Sequence, residues 1–446
     1  MNKLTVGLFL LVVNCCAMPA IAQQIQILPL RERAKLHDEI LKERFETVLP
    51  ALMKRTEIDT WVIISREYNE DPIIKTMLPS TWMAARRRTI LVLHQSDDQV
   101  KGYAIARYQV GEFFKKAWDP ELEPDQWESL MDLLKELKST KIGLNYSGDY
   151  GHADGLNKTE YELFMQYLPK ELQKKVVSAE PLGVAWLETR SATEAVIYEQ
   201  LCGIAHQIIA RGFSTEAITP GVTSTEDLVW WYRQAINDLG LDTWFHPTVD
   251  VQRANPENFD HLRSFSKRPD KQIIGPGDLL HVDFGITYLG LNTDTQQHAY
   301  VLRSNENDVP AYLKEAFKKG MQVQDFLTKQ FTTGNSGNEM LAAALAEAKA
   351  AGLNPTIYTH PIGFHGHAAG PTIGMWDQQG GVPGSGDYPL FPNTAYSIEL
   401  NASVYIEEWE KEIRIMLEEE AFFTGESIYY IDGRQEAIYA IPRIKD

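Results

Sequence analysis

Residues 278–302, DLLHVDFGITYLGLNTDTQQHAYVL, read as two strands rich in Val, Phe, Ile, Tyr and Leu that meet at Leu289-Gly290. Two aspartates, Asp283 and Asp294, stand eleven residues apart in this strand-like run. Asp is a poor strand former, so both need a reason to be there. If Leu289-Gly290 is the tight turn, Tyr288 opposes Leu291 and Asp283 opposes Gln296. Asp294 is then a diagonal neighbour of Asp283 on the same face, at about 7–8 Å between Cβ atoms. Two carboxylates reaching inward from there could share a pair of cations about 3.5–4 Å apart. A register slip of one residue would send one acid to the opposite face.

A second hairpin repeats the problem. AYSIELNASVYI and KEIRIMLEEEAFF flank the loop Glu407–Glu410, which sets Ile406 opposite Lys411 and Glu399 opposite Glu418. Like charges facing each other on a sheet destabilise it unless something positive lies between them. Glu399 is the one acid in the run Ala395–Ile406. Glu418 is followed by Glu419 and Glu420, so a ligand and a solvated strand end both remain open for it. Between the hairpins, THPIGFHGHAAGP carries His360, His365 and His367 on a Gly/Pro-rich loop. Two Asp, two Glu and one His form an oxygen-rich set. Such a set suits a pair of divalent ions, Mn²⁺, Zn²⁺, Fe²⁺ or Co²⁺, rather than one structural zinc. A single zinc on the three histidines would leave the acids unexplained.

The 446 residues suggest two or three domains. Strand-like TWVIIS, RTILVLH (Arg88–His94) and GYAIARY (Gly102–Tyr108) alternate with helical segments to about residue 183, the pattern of an α/β domain. A long helix starts near Ser191, with Ser191 or Thr193 as N-cap, and another stops at Gly240. Beyond it, long hairpins with interrupting helices predict an α+β domain in which helices cover a curved antiparallel sheet. We therefore expect a signal at 1–22, an α/β N-terminal domain at 23–186 and a catalytic domain at 187–446. The signal rests on Lys3, the apolar Leu4–Val13 and the small-x-small Ala20-Ile21-Ala22, which predict cleavage before Gln23 and an exported, periplasmic or secreted, protein. Cleavage removes Cys15 and Cys16. Cys202 then remains, with no internal disulfide to form, and reads as a buried structural thiol. A net charge of −18 argues against nucleic-acid partners and anionic membrane surfaces.

The ordered set resembles the pita-bread metallopeptidase superfamily, which includes methionine aminopeptidase, aminopeptidase P, prolidase and the metal-free creatinase. Asp283 and Asp294 match the family's Asp-x10-Asp ligands. HPIGFHGH matches its H-x-x-G-x-x-x-H loop, with His360 in the metal position and His367 facing substrate. SIEL puts Glu399 at the fourth ligand, and counting back six residues from Thr424 puts Glu418 at the last. The helix begun by ETRSATEAVIYEQLCGIAHQII also resembles the family's opening catalytic helix. The α/β N-terminal part resembles that of the aminopeptidase P, prolidase and creatinase branch, in which His261 fits an expected upstream histidine better than His246.

This resemblance implies hydrolysis of the bond before proline in a peptide by a dinuclear centre, with manganese first among the metals, and a homodimer. Glu399 would take a proton from water, while His261 and His367 would stabilise the tetrahedral intermediate or guide the leaving nitrogen. Two positions depart from the family. Glu399-Leu400-Asn401 stands where E-P-G is common. Met416-Leu417-Glu418 stands where R-I-E is common, with Arg414 two residues earlier on the same side as a possible replacement. Rival readings are a same-fold hydrolase or lyase acting on a non-peptide small molecule, and a catalytically silent binding module.

Overall fold

The computed structural model describes residues 26–254 and 271–442, so the leader and His261 lie outside the described residues. Strands β1 (Thr60–Arg66), β2 (Arg88–Ser96), β3 (Gln99–Ile105), β4 (Phe114–Lys116), β5 (Ile142–Leu144) and β6 (Val176–Ser178) form one mixed sheet in the order β4-β3-β2-β1-β5-β6. Alternation sends Trp61, Ile63, Leu91 and Leu93 to one face, against Leu41, Leu49, Met53 and Trp186. Val62, Ile64, Ile90 and Val92 go to the other, against Trp127, Leu130, Leu134 and Phe164 of helices Gln126–Leu137 and Lys158–Tyr167. Both faces are covered, which is why β1 reads as an unbroken apolar run.

One local reading needs correction, and the first helix carries a local irregularity of its own. The first helix is not uniform: an α-helix over Leu30–Glu43 passes through a π turn at Arg44–Val48 before resuming over Leu49–Thr56. Pro50 has no N–H to offer the preceding turn, so the ladder widens just before it. The third strand runs Gln99–Ile105, not to Tyr108. Ser96 pairs with Gln99 around Asp97, which takes a left-handed φ of 57°, and this tight turn starts the strand early. Arg107 and Tyr108 are left exposed beyond its end.

The junction region forms a buried helix, Glu180–Glu188, followed at once by helix Ala192–Gly212. Ser191 is the N-cap of the latter, in a reciprocal capping box with Glu194. Four small sheets follow among the described residues. β7 (Thr248–Gln252) and β8 (Leu279–Phe284) join a hairpin completed by β9 (Thr287–Tyr288), β10 (Leu291–Asn292) and β11 (Thr295–Val301). β12 (Asn354–Ile357) and β13 (His360–Pro361) flank a second hairpin. It is built from β14 (Thr394–Ser397), β15 (Leu400–Ile406), β16 (Lys411–Leu417) and β17 (Glu420–Phe423). β18 (Ile428–Tyr430) pairs with β17, and β19 (Tyr439–Ile441) runs parallel to β11. Helices Ala192–Gly212 and Thr225–Asp238 pack on the first hairpin, and Ala311–Thr328 and Gly337–Ala350 on the second. Gly320 lets helix Ala311–Thr328 lie close against the second hairpin, since a Cβ there would lie 2.7 Å from Ile415. Cys202 is fully buried among the helix contacts.

Two ionic networks, one buried and one partly exposed, hold the surroundings of the second hairpin. Arg44 donates to Glu194 Oε2 at 2.5 Å and to Thr189 O at 2.7 Å, with its guanidinium over the Trp186 ring. Arg190 also faces Glu194, and both guanidiniums lie over Phe364 of the histidine loop. Elsewhere His206 bridges Glu419 Oε2 at 2.7 Å and Asp432 Oδ2 at 2.8 Å. Glu419 also accepts from Gln297 Nε2 and Gln435 N, which overturns the reading of LEEE as a solvated strand end.

Removing one partner of a buried ion pair strands the other. Arg44→Ala should therefore lower the unfolding free energy in denaturant titration by about 3–5 kcal/mol, and a change below about 1 kcal/mol would contradict the network's role. Burial alone would depress the His206 imidazole, but Glu419 and the bonds from Asp432 and Glu419 overcome it and lift its pKa from 6.5 to about 10. A folded-state pKa above the unfolded value gives stability that is complete below pH 6.5 and is lost as pH rises through about 10. The melting temperature should fall across that window, and His206→Gln should flatten the fall. An unchanged slope in the variant would refute the assignment.

Candidate metal centre

The first hairpin adopts the expected register. Leu289 and Gly290 take left-handed φ values of 53° and 81°, Tyr288 opposes Leu291, and Asp283 opposes Gln296. Asp283 and Asp294 thus share a face, and both carboxyls turn inward.

In the second hairpin Ile406 opposes Lys411 as expected, and the ladder runs to the pair Leu400–Leu417. It resumes in the same register with Ser397 opposite Glu420. Glu399 and Glu418 fall in the gap. Glu418 does not pair with Glu399 there; its backbone exchanges both hydrogen bonds with Gln296 of the first hairpin. Glu399 O instead accepts from Tyr358 N and the Thr359 hydroxyl, next to His360. Opening the ladder at this point joins the two hairpins and turns the acids of both toward one volume.

The five predicted residues meet there. Three groups, Asp283–Asp294–Glu418, His360–Glu399–Glu418 and Asp294–His360–His367, each bring one side-chain ligand atom per residue within 4.8 Å of the others. His360 Nε2 lies 3.4 Å from Glu418, 3.6 Å from Asp294 and 3.8 Å from Glu399. Its Nδ1 is 2.9 Å from Pro361 O, so Nδ1 carries the proton and Nε2 presents a lone pair. Asp283 Oδ1, Asp294 Oδ1 and His360 Nε2 are buried without a hydrogen-bond partner.

Burial is the largest cause that raises the pKa of all four carboxyls. Repulsion from Glu418 comes next for Asp283, Asp294 and Glu399. Burial also lowers His360. Among the described residues, no lysine or arginine pairs with any of the four acids. Orphaned acceptors, mutually repelling carboxylates and a neutral imidazole fit a cation-binding set.

Several neighbours were not singled out in the sequence. Gln296 donates to both Glu399 and Glu418 and is itself oriented by His281. Ser397 Oγ lies 2.6 Å from Glu418 Oε1. Glu420 accepts from Asp294 N at 2.5 Å and from the Thr295 hydroxyl, holding the backbone of the second aspartate. Period-two alternation on β11 could have flagged Gln296, which shares the face of Asp294. His367 is exposed, with its ring 4.7 Å from His360 and 5.1 Å from Trp244. Trp244 presses against Gly366, where a Cβ would lie 2.2 Å from the indole. His365 turns away to face His152, 4.6 Å ring to ring, and joins none of the acid groups among the described residues. The three-histidine zinc site is therefore not formed. Arg414 is half-buried, with its backbone bonded to Gln252.

An X-Pro aminopeptidase from Thermotoga maritima superposes with a TM-score of 0.61 at 14% identity, covering 87% of this chain and 99% of that one. An Xaa-Pro dipeptidase from Bacillus anthracis gives 0.56 at 16% identity, with coverages of 91% and 99%. A prolidase from Pyrococcus furiosus gives 0.53 at 15%, with 87% and 100%. At these identities the likeness is one of fold, and it extends over the N-terminal sheet as well as the two hairpins. No curated protein matches the chain. The model of metallopeptidase family M24 matches residues 197–424, a span that contains both hairpins and the histidine loop. The chain belongs to metallopeptidase family M24.

Proposed function

We propose that Asp283, Asp294, His360, Glu399 and Glu418 hold two divalent cations, manganese first among them, and that the enzyme hydrolyses the peptide bond preceding proline. The observation that carries the metal reading is the set of three orphaned, buried ligand atoms inside overlapping acid–histidine groups. The proline reading draws on the shared two-part fold with structures described as an X-Pro aminopeptidase, an Xaa-Pro dipeptidase and a prolidase. Divalent cations in such a set acidify water and polarise a carbonyl.

The chain's own residues supply the rest. Glu399, the least buried carboxylate of His360's partners at 13% side-chain exposure, is placed to accept a proton from water. The second imidazole, His367, keeps a solvent-facing edge, but desolvation of the ring where it packs on its neighbours and the adjacent His360 push its pKa down to about 4, so it is neutral. A neutral ring can donate one N–H to an oxyanion without adding charge. Trp244 packs against this ring and the loop beneath it, which limits its rotation. His261 is assigned a supporting role at the intermediate on the strength of the family pattern alone.

The decisive assay measures turnover of an Xaa-Pro dipeptide against an Xaa-Pro-Xaa tripeptide, with Mn²⁺, Co²⁺ and Zn²⁺ added in turn. One of the two substrates should be cleaved before proline, chelator should stop the reaction, and Asp283→Ala should reduce it to background. Cleavage that persists in Asp283→Ala, or equal rates on peptides lacking proline, would overturn the reading. We also infer export from the leader-like residues 1–22. N-terminal sequencing of the protein recovered from outside the cytoplasm should begin at Gln23. Recovery of a chain still carrying Met1 would count against cleavage.

A further inference from the structure

A cleft of about 860 Å³ opens beside the six-stranded sheet, on residues that the metal centre does not use. Arg66 ends β1, Arg88 begins β2 and Arg107 follows β3, so the antiparallel register brings them to one end of the sheet. Arg86 and Arg87 complete a set of five guanidiniums. Glu160 accounts for two of them, lying 2.6 Å from Arg88 and 3.6 Å from Arg66. Glu67 accepts the backbone N–H of Arg87. Among the described residues, no carboxylate pairs with the side chain of Arg86, Arg87 or Arg107. The chain as a whole carries a net charge of −18. Unpaired positive charge gathered in one concavity of such a protein repels itself and is relieved by an anion.

Aromatic side chains share the cleft. Tyr68 and Tyr108 are 91% and 58% exposed, and Trp82 and Trp118 also line it. The Arg86 guanidinium lies over both the Trp82 and Tyr108 rings, at 5.2 and 5.9 Å. A stacked guanidinium keeps its N–H edge free for two-pronged bonding to a phosphate. The floor is fixed, because Gln126 is buried and its amide donates to Arg88 O and Ile105 O. The volume falls in the range of small-molecule pockets, about 300–1,000 Å³.

We propose that this cleft binds a small phosphate ester carried on a flat ring, the chemistry of a mononucleotide. The surplus guanidiniums take the phosphate dianion, and the exposed tyrosine faces, backed by the half-buried tryptophans, take the ring. A small ligand is favoured over a nucleic-acid polymer, because a polymer leaving the cleft would meet the acidic remainder of the surface.

Calorimetric titration of the metal-loaded enzyme with adenosine 5′-monophosphate, adenosine and inorganic phosphate tests this. The monophosphate should bind about tenfold or more tightly than either fragment. Arg86→Ala and Arg107→Ala should each weaken it by about tenfold while leaving the melting temperature unchanged, since both side chains are exposed. Asp283→Ala should bind it as well as the wild type does. Absence of binding at millimolar monophosphate, equal binding of a fragment, undiminished binding by both arginine variants, or loss of binding in Asp283→Ala would each overturn the proposal.

Discussion

Four carboxyl groups, two buried and two half-buried, gathered within a few ångströms of one another with no lysine or arginine paired to any of them among the described residues, set the terms for the rest of this molecule. An ionised carboxylate taken out of water must be neutralised by a proton or a cation, or the fold bears the full desolvation cost. The upward displacement of all four pKa values expresses that demand. The imidazole beside them does not meet it, since burial keeps His360 neutral. A pair of divalent ions would supply the missing charge and the missing partners of Asp283 Oδ1, Asp294 Oδ1 and His360 Nε2 together.

The surrounding architecture keeps these groups close against their repulsion. Each hairpin is backed by its own pair of helices, and the hairpins are joined through the Gln296–Glu418 bridge at the one place where the second ladder opens. Glu420 fixes the backbone of Asp294, and His206 fixes Glu419, so both acids that follow Glu418 in LEEE are tied to other elements. The Arg44–Glu194–Arg190 network lies behind Phe364 and steadies the loop that presents His360 and His367. Rigid support of this kind is what a metal set requires if its ligands are to hold one geometry.

Much of this was legible in the sequence because strand periodicity is strict. Once Leu289-Gly290 is taken as a two-residue turn, the placement of Asp283 against Gln296 follows, and the EEWE loop fixes the second register in the same way. The capping box at Ser191 is a local signal and was equally readable. What escaped depends on contacts distant in sequence. Nothing local to MLEEE says that Glu418 will leave its hairpin partner for Gln296, or that Glu419 and Glu420 are buried by His206 and the Asp294 backbone. The π turn at Arg44 and the early start of β3 were missed for a different reason. Each hangs on one residue's backbone, Pro50 in the first case and Asp97 in the second.

The molecule therefore separates its charges: a buried acidic centre in the hairpin region, and a surplus of arginine in a cleft of the N-terminal sheet. If the acids are there to hold cations, the purified chain retains metal. Elemental analysis of the purified chain after dialysis against trace Mn²⁺ measures this directly. The account predicts about two bound ions per wild-type chain and a reduced count in Glu418→Ala, whose carboxylate belongs to two of the three groups. A wild-type chain without bound metal, or a Glu418→Ala chain with an undiminished count, would contradict it.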